Sequence, residues 1–265
     1  MSEPYTTILA PNPSMMTGLG TNTIVLGGGV EGATVIDPAD EHIEHIEAII
    51  RAGEKREGIR RILITHGHPD HIGGAAALRK DLHVYIYAFS RNGTPIADEE
   101  VADGTIFPAG NDTLRAIHTP GHRFDHLCFL LERQRILFAG DLLSGVGTVV
   151  ISPPEGDMLD YLNSLKRLQE MDIAQIVPAH GPVITDPQAK IAEYITHRLE
   201  REQQVIYVLE TMSRRAKISA MVEQIYVDVN PQLHPLASRS VEAHLLKLGR
   251  EGRVRRNEQD EWELI

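Results

Sequence analysis

The sequence predicts an α/β protein followed by a small domain of helices and a terminal hairpin. Three observations carry this. Short β-branched runs alternate with helical stretches through residues 1–187. Four of those runs end on His or Asp beside a Gly. Near Asp186-Pro187 the alternation stops and longer helical segments begin. The expected domains are therefore 1–187 and 188–265.

The first elements read as a hairpin. Thr23-Ile24-Val25-Leu26 and Ala33-Thr34-Val35-Ile36 flank Gly27-Gly28-Gly29. A phosphate-cradling glycine loop would need a helix after it, and here a strand follows. A helix over 41–51 carries His42 and His45. Their three-residue spacing suits a metal pair, but no third ligand is near, so both are expected as solvated helix residues. Asp37, at a strand end, either orients a ligand or caps that helix. Strands are expected at 62–64 and 84–89, and an amphipathic helix at 160–170. Cys128, the only cysteine, sits in the strand-like His126-Leu127-Cys128-Phe129-Leu130 and is expected as a buried, inert thiol.

In the second part a helix over about 188–215 is expected to connect the domains. Helices over 219–226 and 238–250 each start at a Ser, a good N-cap, and Asn230-Pro231 breaks the chain between them. The tail alternates like a hairpin around 257–260. Helices followed by a small basic hairpin resemble a winged helix, expected to close one side of the cleft. Basic clusters lie at Arg214-Arg215-Lys217 and at Arg250, Arg253, Arg255 and Arg256. They read either as nucleic-acid contacts or as solvated charges on a packing element. The acidic neighbours favour the second.

The chemistry lies at the strand ends. Directly after Ile62-Leu63-Ile64 comes Thr65-His66-Gly67-His68-Pro69-Asp70-His71, four metal-capable side chains within six residues. A loop can turn four such side chains inward, whereas a strand or helix at this spacing cannot. Imidazole and carboxylate together suit zinc, and also iron, manganese or nickel. His122 in Thr119-Pro120-Gly121-His122, Asp141 in Gly140-Asp141 and His180 in Ala179-His180-Gly181 each follow a further apolar run. Seven ligands exceed what one tetrahedral ion uses, so two ions are expected, roughly 3.5–4 Å apart.

At these motifs the chain resembles the metallo-β-lactamase superfamily, whose members carry His-x-His-x-Asp-His and then His, Asp and His in that order. The likeness spans nearly the whole chain. Asn12-Pro13 through Thr23, Asp125-His126, Gly147-Thr148, 161–165, His180-Gly181-Pro182-Val183 and 194–202 resemble its beta-lactamase-like protein 2 group. That resemblance implies an αββα sandwich of two mixed sheets with helices outside. It assigns His66, His68 and His122 to one metal, and Asp70, His71 and His180 to the other. Asp141 would bridge both, beside a bridging water or hydroxide that attacks the substrate. Two Zn2+ per chain are expected, with iron or manganese as the alternatives. Asp70 is expected to pass a proton. His126 is expected to hold a substrate oxygen or to support the ligands. Arg123 reads first as an exposed, solvated side chain, with contact to a negative substrate group as the alternative. No separate general base is required.

Substrate class divides several readings. Many β-lactam-hydrolysing members carry Cys where this chain has Asp141, which disfavours a β-lactamase. The group's animal member is described as a single-strand-selective endoribonuclease, while similar relatives are thioesterases acting on carrier-protein-bound acyl chains. Residues 1–200 hold 16 Lys+Arg against 27 Asp+Glu, a charge of 16 − 27 = −11. Residues 201–265 hold 10 of each, 10 − 10 = 0. An acidic body opposes a nonspecific polyanion binder. The expected substrate is thus a small ester, thioester or lactone, with single-stranded RNA as the alternative. A non-enzymatic winged-helix nucleic-acid module with structural metals is the third reading. No apolar run approaches ~20 residues, so no membrane span is expected. Met1-Ser2-Glu3-Pro4 shows no leader-like pattern, and one cysteine suits the cytoplasm.

Overall fold

The computed structural model describes residues 3–265, so Met1 and Ser2, read above for a leader, lie outside it. The chain forms two compact units. One comprises 1–119, 125–149 and 170–188, and the other 120–124, 150–169 and 189–265.

The first unit is built on two mixed sheets. One runs in order β1 (Tyr5–Leu9), β2 (Asn22–Gly27), β3 (Ala33–Ile36), β4 (Ile59–Leu63), β5 (Tyr85–Ala88) and β6 (Glu99–Glu100). Its first three strands pair antiparallel and the rest parallel. The triglycine segment turns β2 into β3 as expected, with all three glycines at positive φ. The other sheet contains β7 (Ile106–Ala109), β8 (Asp112–His118), β9 (Leu127–Leu131), β10 (Ile136–Phe138) and β11 (Gln175–Val177). Only β10 and β11 run parallel.

Alternation along the strands sorts the apolar side chains. Ile24, Leu26, Ile36 and Leu63 meet Phe107, Leu114, Phe129 and Phe138 in a core between the sheets. The opposite face of the first sheet, with Val25, Val35, Ile62 and Ile86, packs on α1 (Ile43–Glu54) and α3 (Ala75–Leu82) through Ile46, Ile49 and Leu78. Each such side chain stabilises by roughly 1.5–3 kcal/mol on burial. Between β4 and α3 lies the single turn α2 (Pro69–Ile72), begun by Pro69 as suits a first helical position. Cys128 is buried, as expected, and forms no disulfide among the described residues.

The second unit contains α4 (Met158–Gln169), most of α5 (Pro187–Thr211), α6 (Ile218–Ile225) and α7 (His234–Arg250). Its small sheet orders β12 (Arg215–Ala216), β14 (Trp262–Leu264) and β13 (Val254–Arg256). Val205, Leu209, Met221, Val241, Leu245 and Trp262 form its core. This is the winged-helix pattern expected from the sequence.

Several local readings change. The connecting helix stops at Thr211 because Ser213 and Arg214 adopt positive φ. α6 begins after Lys217 with no side-chain cap. α7 begins at His234, so Ser238 lies inside the helix and donates back to the His234 carbonyl at 2.9 Å. His45 is not solvated: it is buried, with Nε2 3.1 Å from Thr23 Oγ1, because its side of α1 faces the sheet. No helix among the described residues is long and apolar enough to cross a membrane.

Candidate metal centre

The strand ends deliver their ligands together. The ligand atoms of His66, His68 and Asp141 all lie within 4.8 Å of one another, and so do those of Asp70, His71 and His180. Both histidines of the first trio point a ring nitrogen inward: His66 Nε2 stands 2.8 Å from His68 Nδ1. Asp141 links the trios. Its Oδ1 is 3.2 Å from His180 Nε2 and 3.5 Å from His71 Nε2. Asp70 Oδ2 sits 3.4 Å from His180 Nε2. His122 lies on the 120–124 segment of the second unit, where its Nδ1 donates to the Val150 carbonyl at 2.9 Å.

Backbone packing explains the glycine between the two histidines. A Cβ on Gly67 would fall 2.0 Å from the Gly93 carbonyl oxygen, so only glycine fits. The Gly67 N–H donates to Asp125 Oδ2 at 3.1 Å, which pins the loop. The sequence shows Asp125 only as part of a motif. Its anchoring role depends on a partner 58 residues away.

Asp37 resolves as a ligand-orienting residue. Its Oδ2 accepts from His71 Nδ1 at 2.8 Å and from Thr65 Oγ1 at 2.6 Å, while Oδ1 accepts from the Thr65 N–H at 2.8 Å. It occupies positive φ of 48°, a conformation Asp tolerates better than most residues. With Nδ1 committed to a carboxylate, Nε2 is the nitrogen that His71 turns inward, 3.5 Å from Asp141 Oδ1. That nitrogen is buried and makes no hydrogen bond among the described residues. An orphaned imidazole nitrogen backed by a carboxylate is the usual arrangement of a metal-ligating histidine. The donor set therefore fits metal ions.

The electrostatics agree. Burial opposes charging of His71, yet Asp141 and Asp37 outweigh it and raise its pKa well above the ordinary range. His180 is likewise desolvated, but Asp141 and Asp70 push it up to about 9. The pocket favours positive charge, which protons supply when no ion is bound. Metal binding needs neutral imidazole. At pH 7 zinc binding should therefore release protons, and affinity should rise with pH up to about 9. The metal-free protein should lose the charged-histidine stabilisation as pH rises from 6.5 through about 9. Titration calorimetry in buffers of different ionisation enthalpy measures the proton count directly.

His126 is fully buried, and both ring nitrogens are engaged. The Asp141 N–H donates to Nε2 at 3.1 Å, which leaves the ring proton on Nδ1 to donate to Thr119 Oγ1 at 2.9 Å. Thr119 in turn donates to Cys128 Sγ at 3.3 Å, and that thiol to the Ala139 carbonyl at 3.5 Å. This chain returns to the strand that presents Asp141. Of the two roles expected for His126, the geometry favours ligand support. Arg123 is not an exposed substrate contact: it is buried and paired with Glu155 at 2.8 Å.

Comparison with known proteins agrees with this geometry. Residues 16–180 match the model of the metallo-beta-lactamase superfamily. Residues 218–262 match that of the beta-lactamase associated winged helix domain. The chain is 33% identical to a Drosophila melanogaster beta-lactamase-like protein 2 homolog, over 94% of this chain and 88% of that protein. It is 38% identical to an atrochrysone carboxyl ACP thioesterase of Aspergillus chevalieri, over 76% of this chain and 64% of the relative. A crystal structure of a metallo-beta-lactamase family protein from Thermus thermophilus superposes with a TM-score of 0.81 at 19% identity. That match covers 99% of both chains. The chain belongs to the metallo-β-lactamase superfamily and is a hydrolase of it with an associated winged-helix domain.

Proposed function

We propose that this protein is a dinuclear zinc hydrolase acting on a small thioester. The observation that carries the reading is Asp141 standing between two histidine groups, within 3.5 Å of His180 and His71 while belonging to the His66–His68 trio. His66, His68 and His122 would hold one ion, Asp70, His71 and His180 the other, and Asp141 would serve both. When bound, such ions supply an activated water and polarise the oxygen that becomes negative. The protein's own residues do the rest. Asp37 and Val150 fix the tautomers of His71 and His122. Asp125 holds the His66–His68 loop, and His126 holds the Asp141 backbone. Asp70, 29% exposed at its side chain, is the ligand placed to pass a proton to a leaving group.

The thioester class is supported by the thioesterase-named relatives, of which another, from Emericella nidulans, is 29% identical over 89% of this chain. The wing also speaks against a polyanion. Arg255 pairs with Glu263, Arg256 with Asp260, Arg215 with Glu261, and Arg253 approaches Glu202 at 3.7 Å. Their charges are met by acids of the same unit.

Purified zinc-loaded protein should hydrolyse acyl thioesters in preference to lactones, an RNA oligomer and nitrocefin. Replacing Arg253, Arg255 and Arg256 together by Ala should leave thioester turnover within about twofold, and added salt should have little effect. RNA cleavage that needs the metal, falls steeply with salt and fails in the triple variant would overturn the thioester assignment.

His126→Ala should keep the fold but lower kcat and loosen the Asp141 ion. Loss of an outer-sphere partner typically costs about 10–100-fold in metal affinity or activity. If kcat falls by this much while metal content and affinity hold, His126 touches the substrate instead.

A further inference from the structure

The 120–124 segment, which carries His122, clusters with the winged-helix unit rather than with the sheets. Its anchors lie in that unit. The Gly121 carbonyl accepts from the Asp157 N–H at 2.8 Å. The Pro120 carbonyl accepts from Ser164 Oγ at 2.7 Å. Gly121, at φ 138°, lies flush on α4, where a Cβ would fall 2.2 Å from Tyr161 Cα. Tyr161 is fully buried, and the Arg198 guanidinium of α5 lies 5.3 Å from its ring centroid.

Asp157 is the junction. Its Oδ1 accepts from the N–H groups of Leu159 and Asp160 at 2.9 and 3.0 Å, capping α4. Its Oδ2 receives Arg250, in the last turn of α7, at 2.6 Å. A carboxylate at one helix start and a cation at another helix end each suit the local helix dipole. α7 is itself fastened to α5 by the buried Lys247–Glu202 pair at 2.7 Å. One bonded path thus runs from the winged helix through Arg250 and Asp157 to the backbone beside His122.

We propose that Arg250 and Asp157 are positioning residues through which the winged-helix domain sets the His122 ligand. The domain then tunes the affinity of one metal ion and leaves the other alone. This rests on the assignment of His122 to the ion held by His66 and His68.

Stepwise zinc titration against a chromophoric chelator tests it, with cobalt(II) spectra reporting the geometry of each ion. Arg250→Ala should weaken one ion by about 10-fold, the lower end for outer-shell partners. The second ion and the thermal midpoint should barely move. Arg250→Lys should restore most of the loss. Asp157→Asn keeps an oxygen for the helix cap, so it should fold and repeat the Arg250→Ala phenotype. Unchanged affinity for both ions in Arg250→Ala and Asp157→Asn would overturn the proposal. An equal fall for both ions with a lower midpoint would overturn it too, as general destabilisation. His122→Ala is the control. If it spares the ion that Arg250→Ala weakens, the ligand assignment fails and takes the inference with it; if it removes that ion while Arg250→Ala has no effect, only the inference fails.

Discussion

Asp141→Ala should release at least one of two metal ions and abolish most activity. Asp141 is the carboxylate that faces both histidine groups, at 3.2 Å from His180 and 3.5 Å from His71. On the proposed assignment it would be the one ligand common to both ions. The loss in turnover should exceed about 100-fold, the upper end of what supporting residues cost. Elemental analysis of the loaded wild type should give two ions per chain, and of the variant one or fewer. A fully active wild type holding a single ion would end the two-ion reading.

The second large effect is expected at Asp37, which touches no substrate. Asp37→Ala would strand the Thr65 N–H inside the protein and remove the carboxylate that accepts from the Thr65 hydroxyl and from His71 Nδ1–H, leaving those two groups with each other at 3.3 Å. Each buried donor left unpaired costs roughly 1–3 kcal/mol. The variant should therefore unfold at lower denaturant, and the ion at His71 should bind about 10–100-fold more weakly. Asp37→Asn separates the two effects. Its oxygen can still accept from the Thr65 N–H, so part of the stability should return. With that oxygen facing Thr65, its NH2 group takes the place of Oδ2 and cannot accept from His71 Nδ1–H, so metal affinity should stay low. Wild-type affinity in the Asn variant would show that the charge on Asp37 does not orient His71.

Much of the site was legible because its ligands follow local rules. The His66-to-His71 cluster follows directly on a buried strand, with His66 and His68 on the loop as expected but Asp70 and His71 on the turn α2 rather than on that loop. His122, Asp141 and His180 each follow an apolar run and adjoin a glycine. Runs of β-branched residues bounded by glycine announce strands, and a triglycine between two of them announced the hairpin. Segment ends were less legible. α7 starts four residues before Ser238 with no side-chain cap, and Pro235 sits in its first turn, where a missing N–H costs no helical bond.

Other features depended on contacts between segments far apart in sequence. Asp37 reads equally as a helix cap or a ligand support until β3 and β4 lie side by side, bringing Thr65 and His71 to its carboxylate. Asp125 acquires a role only when the His66 loop reaches it, and His45 is buried only because α1 packs its side on the sheet. Arg123 looked exposed in the chain and is paired with an acid 32 residues on. The sequence by itself determined the element types, the fold class and the candidate ligands, because strand periodicity and ligand chemistry are local properties. The tertiary structure alone decided which neutral or charged side chain orients which ligand, because hydrogen bonds in a dry interior are set by through-space geometry that spacing does not encode.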